Sequence, residues 1–228
     1  SAGVIETKLS DSQLAALSKS VVKDGDIKKI GGFVVEFIRT NHSIPGSVAV
    51  AIKTKIGTIV HTGDFKIDET SASAKPIDMK KFERLGKDGV LALLSDSTNA
   101  TKGENEVNDL TVRESLENFI KGSRKRIIIS TFSSNIYRTQ QIIKIAEKYN
   151  RKVAVGGMSM ITMLSVAKAQ GKVQYKNETI VDINKIKTVP DHELLIITTG
   201  SQGEEMSGLY RIANGMHNQI KATKNDKI

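Results

Sequence analysis

The sequence predicts an α/β protein whose second half holds a mostly parallel sheet flanked by helices. From about residue 111, apolar strands alternate with amphipathic helices, which is typical of parallel strands covered on both faces. Earlier, two apolar runs at 48–52 and 58–60 flank a turn at 55–57 and predict a β-hairpin. With 228 residues, of which 39% are hydrophobic, the chain can bury one large core or two small ones. We place the boundary between the halves within residues 66 to 90.

The first half contains few helical signals. An irregular or helical lead-in over 1–28 precedes a strand over 30–40 that is rich in Val, Ile and Phe. After the hairpin, a polar stretch over 66–77 predicts a loop, and 78–87 predicts a short helix with one apolar face. The continuous apolar run over 90–94 predicts a buried strand.

The second half alternates regularly between helix and strand. A capping-box pattern at Thr111 opens a helix that extends to about Lys121. Further strands are predicted over 126–130, 152–155 and 194–198, and further helices over 135–149, 159–170 and 206–217.

Charge and composition narrow the function classes. The net charge is +9 and the sequence pI is about 9.6, which favours a polyanionic partner such as nucleic acid, although solubility alone also explains a basic surface. The absence of Cys excludes disulfides, thiolate zinc sites and a Cys nucleophile, and it fits a cytoplasmic protein. No apolar run reaches the roughly 18 residues of a membrane span, and no leader peptide is visible, so we expect no membrane association.

Side chains that could bind a metal flank the predicted hairpin on both sides. His42 precedes its first strand and Asp64 follows its second, and an antiparallel return brings these two positions to one edge of the sheet. An imidazole and a carboxylate that meet there are typical ligands of zinc or a similar divalent ion. Either residue taken alone is more often part of an ordinary loop or turn.

Three predicted strands end in small polar residues, at 95–99, 131–135 and 199–204. If all three strands belong to one parallel sheet, these ends share its carboxyl edge, where ligands bind. Hydroxyls and helix-start N–H groups suit phosphate, whereas the alternative for each stretch is simple helix capping.

Several long stretches carry a family resemblance, which covers about residues 30 to 220. The stretches are NHSIPGS, GTIVHTGDFK, LLSDSTNA, TFSSNIYRTQQ and ITTGSQGEEMSGLYRIANGMH. They resemble the ribonuclease J family, metallo-β-lactamase-type nucleases that carry an inserted β-CASP domain. The resemblance implies a partial metallo-β-lactamase domain over 1–85 and a β-CASP domain over 86–228.

The resemblance also implies a site and an activity. His42 would be a metal ligand, Asp64 would bridge two divalent ions, zinc or manganese, and Asp96 would belong to the catalytic cleft. Ser133, Ser134 and Asn135 would hold substrate phosphate. The implied function is metal-dependent RNA cleavage, endonucleolytic or 5′-to-3′ exonucleolytic, in RNA processing and decay. The implied partners are RNA and a second subunit, either an identical chain or a paralogue.

The sequence departs from the family pattern at several positions, and these departures favour an alternative hypothesis. Tyr137 stands where the family has His, and Gly46, Met158 and Glu205 also differ from the usual motifs. The family's His-x-His-x-Asp-His motif and its last motifs are absent from the sequence. We therefore expect an internal piece of a larger enzyme that is inactive by itself. The alternative is a non-catalytic RNA-binding or partner-binding paralogue, while a small-molecule hydrolase fits the β-CASP-like half poorly.

Overall fold

The computed structural model describes residues 2–68, 75–98, 100–101 and 108–228. The chain divides into two compact units, Ser1–Val112 and Arg113–Ile228. Each unit is built on its own sheet, so the α/β prediction is confirmed.

The sheet of the first unit has five strands in the order β1-β2-β3-β4-β5. The strands are β1 (Ile27–Ile30), β2 (Phe33–Arg39), β3 (Val48–Lys53), β4 (Thr58–His61) and β5 (Ala92–Leu94). Neighbours from β1 to β4 pair antiparallel, and β5 pairs parallel with β4. The predicted hairpin is therefore confirmed as β3–β4. The strand predicted over 30–40 is wrong at its start, because Gly31 takes a positive φ of 58° and turns the chain between β1 and β2.

Three helices belong to the first unit, α1 (Ala2–Glu6), α2 (Asp11–Ala16) and α3 (Met79–Asp88). Helix α3 packs Leu85 against the buried face of the sheet, which consists of Ile38, Ala49, Ala51 and Val60. Arg84 donates to both carboxylate oxygens of the buried Glu36, at 2.8 and 2.7 Å. This pair fixes α3 on the sheet because leaving the Glu36 carboxylate buried without a partner would be costly.

The sheet of the second unit is entirely parallel and has the order β6-β9-β7-β8. Its strands are β6 (Ile127–Ser130), β7 (Lys152–Val155), β8 (Ile180–Val181) and β9 (Leu194–Thr198). The helices are α4 (Asp109–Ile120), α5 (Ile136–Lys148), α6 (Met158–Ala169) and α7 (Gly208–Ala213). Three 3-10 helices lie between β7 and β9, at Asn177–Thr179, Ile183–Thr188 and Asp191–Glu193.

Two apolar layers cover the second sheet. On one face the sheet packs against α4, α5 and α6 through residues that include Ile120, Ile142 and Leu164. On the other face it packs against α7 and the 3-10 helix Ile183–Thr188. Every residue of the central strand β9 is buried, which explains why its sequence is continuously apolar rather than alternating.

The helix predicted over 206–217 is wrong in its extent. Helix α7 spans only six residues, since Met206 has a φ of 60°, Ser207 caps the helix start and Gly215 turns the chain beyond its end. Strand β8 is not visible in the sequence pattern because it has only two residues. Part of the loop predicted over 66–77 lies outside the described residues. Among the helices that are described, none is long and apolar enough to cross a membrane.

Candidate functional site

His42 and Asp64 meet at one edge of the first sheet. His42 lies in the loop before β3, and Asp64 lies three residues beyond the end of β4. His42 Nε2 and Asp64 Oδ2 are 3.9 Å apart. Side-chain exposure is 35% for His42 and 73% for Asp64, so both polar groups are open to solvent. The sequence prediction that these two side chains approach each other is therefore correct.

Backbone hydrogen bonds hold the two loops together. The N–H of Lys66 donates to the carbonyl of Asn41 over 2.8 Å. The Asn41 side-chain amide donates to the carbonyl of Asp68 over 3.2 Å. Because Asn41 is buried and directly precedes His42, it fixes the loop after Asp64 against the loop that carries the imidazole.

Asp96 joins the same edge because β5 runs parallel to β4. The N–H of Asp96 donates to Thr62 Oγ1 over 3.0 Å, and the N–H of Thr62 donates to the carbonyl of Leu94. The N–H of Phe65 approaches Asp96 Oδ2 at 3.4 Å. Asp96 thus contacts the loop that carries Asp64. Thr62, which forms the link, has no distinguishing signal in the sequence.

The electrostatic surroundings keep Asp96 ionised. Hydrogen bonds from Thr98 are the largest cause, and they hold the pKa of the Asp96 carboxyl below its usual value. The N–H of Phe65 and the charge of His42 lower the pKa further. A carboxylate stabilised in this way is a weak proton acceptor near neutral pH.

The arrangement supplies part of a metal site. Ligand atoms around a tetrahedral zinc ion lie about 3.4 Å from each other, so the His42–Asp64 separation could close on a shared ion after a small shift. Among the described residues, however, no group of three or more His, Cys, Asp or Glu side chains is placed to hold a metal. The described residues therefore do not fit a complete mononuclear or dinuclear centre.

Ser133, Ser134 and Asn135 lie at the carboxyl end of β6 in the second sheet. Asn135 caps α5, because its Oδ1 accepts a hydrogen bond from the N–H of Arg138 over 3.1 Å. Among the hydrogen bonds of the described residues, none uses the Asn135 amide nitrogen as donor. Ser134 is exposed and Ser133 half-buried. The predicted placement at a carboxyl edge is correct, and helix capping accounts for part of the polar composition.

The expectation that three polar strand ends share one sheet edge is wrong. The ends of β6 and β9 are neighbours in the second sheet, whereas β5 pairs with β4 in the first. Asp96 therefore lies on the sheet edge that carries His42 and Asp64, and Ser133 follows a strand of the other sheet. A short apolar run such as β5 does not encode which sheet it joins, because any open strand edge can accept it.

Tyr137 occupies the first turn of α5, where the family pattern has a histidine. Burial raises the pKa of the Tyr137 phenol above its ordinary value. The phenol therefore stays protonated near neutral pH, so Tyr137 can donate a hydrogen bond but cannot exchange protons as an imidazole does.

The positive charge of the chain is concentrated in the second unit. Residues 113–228 contain 19 Lys and Arg against 10 Asp and Glu, whereas residues 1–112 contain 15 of each. The formal excess of +9 therefore belongs to the second unit alone. The basic run Lys121–Arg126 leads into β6 at the amino edge of the sheet, opposite the end that carries Ser133.

Sequence reasoning identified the polar stretch 199–204 after β9, but it missed Thr198 within that strand and the glycine pair that follows β7. Thr198 is fully buried, and its hydroxyl has no hydrogen-bond partner among the described residues. The next residue, Thr199, accepts a hydrogen bond from the N–H of Gly208 over 3.0 Å. On the neighbouring strand, Gly156 and Gly157 follow β7 directly. A glycine pair between a strand and a helix was the available signal, since it permits close approach to backbone N–H groups.

Comparison with known proteins gives a consistent result. Residues 124–228 match the family model described as ribonuclease J, beta-CASP domain. A ribonuclease J from Helicobacter pylori (strain ATCC 700392 / 26695) is 44% identical over 199 residues, which cover 87% of this chain and 29% of that protein. Ribonuclease J2 from Bacillus subtilis (strain 168) is 39% identical over 211 residues, which cover 92% of this chain and 37% of that protein. The chain thus spans about a third of the length of these relatives.

A solved structure supports the fold. A crystal structure of a protein of unknown function from Enterococcus faecalis V583 superposes with a TM-score of 0.55 and 16% sequence identity. The match covers 82% of this chain and 46% of that one. At this level of identity the likeness concerns the fold alone.

Proposed function

Because the chain belongs to the ribonuclease J family, we propose that it is part of an enzyme that cleaves RNA. The observation that carries this proposal is the 44% identity to a ribonuclease J over 87% of the chain. In this proposal the enzyme acts in RNA processing and decay, as an endonuclease, a 5′-to-3′ exonuclease or both. It works in the cytoplasm, as a homo-oligomer or together with a paralogue.

RNA binding is proposed for the second unit. Its formal charge of +9 attracts a polyanion, while the first unit is formally neutral. The carboxyl edge of its parallel sheet adds hydroxyl and amide donors from Ser133, Ser134 and Asn135. Open α/β sheets bind ligands at this edge.

The proposed enzyme depends on two divalent ions, zinc or manganese. His42 and Asp64 would serve as ligands, in keeping with their 3.9 Å separation and exposed polar atoms. The remaining ligands would come from motifs that this sequence lacks, such as the family's His-x-His-x-Asp-His motif. We therefore expect the 228-residue chain by itself to bind RNA without cleaving it.

Asp96 is proposed to orient the site rather than to accept a proton. Its lowered pKa makes it a poor base near neutral pH, and its bonds to Thr98 and the Phe65 N–H occupy both carboxylate oxygens. Its contribution is to hold the loop that carries Asp64 beside His42.

A second candidate function is non-catalytic RNA binding by a paralogue. Two observations favour it: the described residues hold no group of three metal-ligating side chains, and Tyr137, whose phenol pKa is raised by burial, stands where the family has a histidine. Both hypotheses assign RNA binding to the second unit. They differ in whether the full-length protein also cleaves RNA.

Two assays separate these hypotheses. First, fluorescence anisotropy with a labelled single-stranded RNA measures binding by the 228-residue chain. We expect an affinity that falls as salt rises, because binding releases counterions from the RNA. Second, this chain replaces the 199 matched residues of the H. pylori ribonuclease J, and RNA cleavage is measured with manganese or zinc.

Cleavage by the chimera that is lost in His42→Ala and Asp64→Asn would support the catalytic proposal. His192→Ala is the matched control, since His192 is an exposed histidine in the other unit. A chimera that folds and binds RNA but does not cleave it would favour the paralogue. If the chain does not bind RNA at any salt concentration, both hypotheses fail.

A further inference from the structure

Two basic loops adjoin each other at the amino edge of the second sheet. The first loop, 121–126, links α4 to β6, and the second, 221–227, lies beyond α7. Arg126 joins them, because its guanidinium donates to the carbonyl of Lys221 over 2.7 Å and to both carboxylate oxygens of Asp226. A backbone N–H of the second loop also donates to the Arg126 carbonyl over 2.9 Å. The two loops therefore form one continuous surface beside the start of β6.

Most of the positive charge on this surface is unpaired. Five exposed Lys and Arg side chains form no ion pair among the described residues. These five residues, which we call the β6 basic surface, are Lys121, Arg124, Lys125, Lys221 and Lys224. The two loops contain a single carboxylate, that of Asp226, which is 2% exposed and paired with Arg126. The surface thus lacks a carboxylate that could neutralise the five cations.

A buried arginine adds positive charge beneath the first loop. Arg151 is 4% exposed, and its guanidinium donates to the carbonyls of Ser123 and Lys125 in that loop. It also donates to the carbonyl of Leu194 at the start of β9, over 3.1 Å. All these acceptors are uncharged, and no carboxylate pairs with Arg151 within the described part of the chain. Although burial lowers its pKa, an arginine stays charged near neutral pH, so it raises the positive potential of the surface above it.

The segment around β8 in the same unit has a different charge balance. Residues 168–187 also contain five Lys, but the exposed carboxylates of Glu178 and Asp182 lie among them. Their formal charge is therefore +3. The two basic loops have a formal charge of +6, from seven Lys and Arg and one Asp. The positive charge of the second unit is thus densest at the start of β6.

The opposite edge of the second sheet carries no such charge. The loops 131–135 and 199–207, which follow β6 and β9, contain two Glu and no Lys or Arg. Strand β6 has four residues, so it separates Ser133 from the β6 basic surface by about 13 Å. The polar donors around Ser133 and the unpaired cations therefore lie at opposite ends of β6.

We propose that the β6 basic surface binds the phosphodiester backbone of RNA at a position separate from the carboxyl edge. Its side chains contact phosphates and not bases, so it contributes affinity without sequence preference. The surface holds a part of the RNA that lies away from the donors around Ser133. The charges alone attract any polyanion, whereas the assignment to RNA rests on the proposed function.

The test compares two variants of the 228-residue chain that have the same net charge. The surface variant is Lys121→Gln, Arg124→Gln, Lys125→Gln, Lys221→Gln and Lys224→Gln. The control variant is Lys168→Gln, Lys172→Gln, Lys176→Gln, Lys185→Gln and Lys187→Gln. All ten side chains belong to exposed residues of the second unit. Fluorescence anisotropy measures the binding of a labelled oligouridine, which forms no stable duplex, over a range of sodium chloride concentrations.

We expect the surface variant to bind oligouridine at least about tenfold more weakly than the parent chain at low salt. Its slope of log affinity against log salt should fall by up to about 3.5, since each phosphate contact of a single strand contributes about 0.7. The control variant should lose less than about threefold, because charges more than about 10 Å away are largely screened at 0.1 M salt. Thermal midpoints of both variants should stay close to that of the parent chain, since exposed charges contribute little to stability.

Amide NMR of the parent chain locates the contact directly. Oligouridine should shift the amide resonances of residues 121–125 and 221–224. Inorganic polyphosphate, a polyanion without bases or sugars, should shift the same resonances, because the surface recognises phosphate charge. Sodium chloride at matched ionic strength is the blank and should leave them unchanged.

The outcomes separate this surface from the proposed function. Equal weakening in the two variants, or unshifted loop amides when oligouridine is bound, would overturn the surface while the proposed function stands. Shifts with polyphosphate but no binding of oligouridine would contradict RNA as the ligand, and the proposed function with it. Binding to phosphatidylserine vesicles in place of oligouridine, lost in the surface variant, would assign the surface to a membrane and overturn the proposal.

Discussion

Every residue of β9 is buried, whereas every residue of β5 is exposed. Both strands are apolar, but the prediction that the run over 90–94 forms a buried strand is wrong, since β5 is present and exposed. The difference comes from what covers the two strands. The second sheet is covered on both faces. The first sheet is packed by α3 on one face, and β5 forms its open edge. Among the described residues, fourteen large apolar side chains are exposed in the first unit and six in the second.

The comparison shows that the strands beside the two groups of polar residues differ in how deeply they are buried. The polar residues at the carboxyl end of the second sheet follow strands that include β9, whose residues are all buried. The edge that carries His42, Asp64 and Asp96 is built beside a strand whose Leu93 and Leu94 are 63% and 49% exposed. We therefore expect substitutions in the second sheet to affect stability more than equivalent ones in β5.

The largest effect should come from truncating a buried β9 side chain. Ile197→Ala should lower the free energy of unfolding by about 2–5 kcal/mol, because Ile197 is 0% exposed and its loss leaves a cavity. Leu93→Ala in β5 should change it by less than about 0.5 kcal/mol. Urea unfolding of both variants measures the difference, and equal losses would contradict the comparison.

Gly208→Ala should lower the free energy of unfolding slightly less than Ile197→Ala does. A Cβ there would overlap the Thr198 hydroxyl and lie 3.3 Å from Thr198 Cβ, so the variant should lose roughly 2–3 kcal/mol. Adding Thr198→Ala should recover part of that loss. The control is Gly86→Ala in α3, where nothing lies within 4 Å of the new Cβ. It should gain up to about 1 kcal/mol from helix propensity. If Gly208→Ala is as stable as this control, the packing of α7 on β9 is wrong.

A pH-dependent effect is expected at His217 in the second unit. Burial lowers its pKa below the ordinary 6.5, and the charge of Arg211 acts in the same direction. Its Nδ1 accepts hydrogen bonds from the N–H groups of Gln219 and Ile220. As pH falls through 6.5, His217 becomes protonated in the unfolded chain, whereas in the folded chain it stays neutral to lower pH. The free energy of unfolding should therefore decrease. Above that pH the residue is neutral in both states and contributes no slope.

His217→Asn tests this directly, because an amide oxygen can accept the same backbone bonds without titrating. Its loss of stability between pH 7.5 and 5 should be smaller than that of the parent chain when thermal midpoints are compared. His192→Asn is the control, since His192 is an exposed histidine beside Glu193. Identical slopes in the parent chain and His217→Asn would refute the assignment.

Substitutions in the edge strand β5 should have the smallest effect on stability. They should nevertheless change the self-association of the chain. The exposed leucines of β5 should promote self-association of the chain. The double variant Leu93→Lys, Leu94→Lys should reduce association in sedimentation velocity experiments while it leaves the unfolding midpoint nearly unchanged. Ile161→Lys, at an exposed position of α6, should not reduce it. A parent chain that is monomeric at every concentration would contradict this expectation.

The sequence by itself determined much of the second unit. Strands β7 and β9 were predicted with their observed bounds, because continuous apolar runs between helical patterns have few alternative interpretations. The approach of His42 to Asp64 was also predictable, since a hairpin with a short turn fixes which positions meet. Both results follow from local periodicity and turn chemistry.

Only the tertiary structure decided where β5 belongs and which residues of the second sheet lie beside Thr198. The run at 92–94 would suit either sheet, and its pairing with β4 moved Asp96 to the His42 edge. Strand β9 inserts between β6 and β7, although it follows both in the chain. Strand order of this kind is set by nonlocal pairing and by which faces the helices cover, and neither leaves a periodic signal in the sequence. For that reason Thr198 and Gly156, which are 42 residues apart in the chain, could be identified as neighbours only from the folded structure.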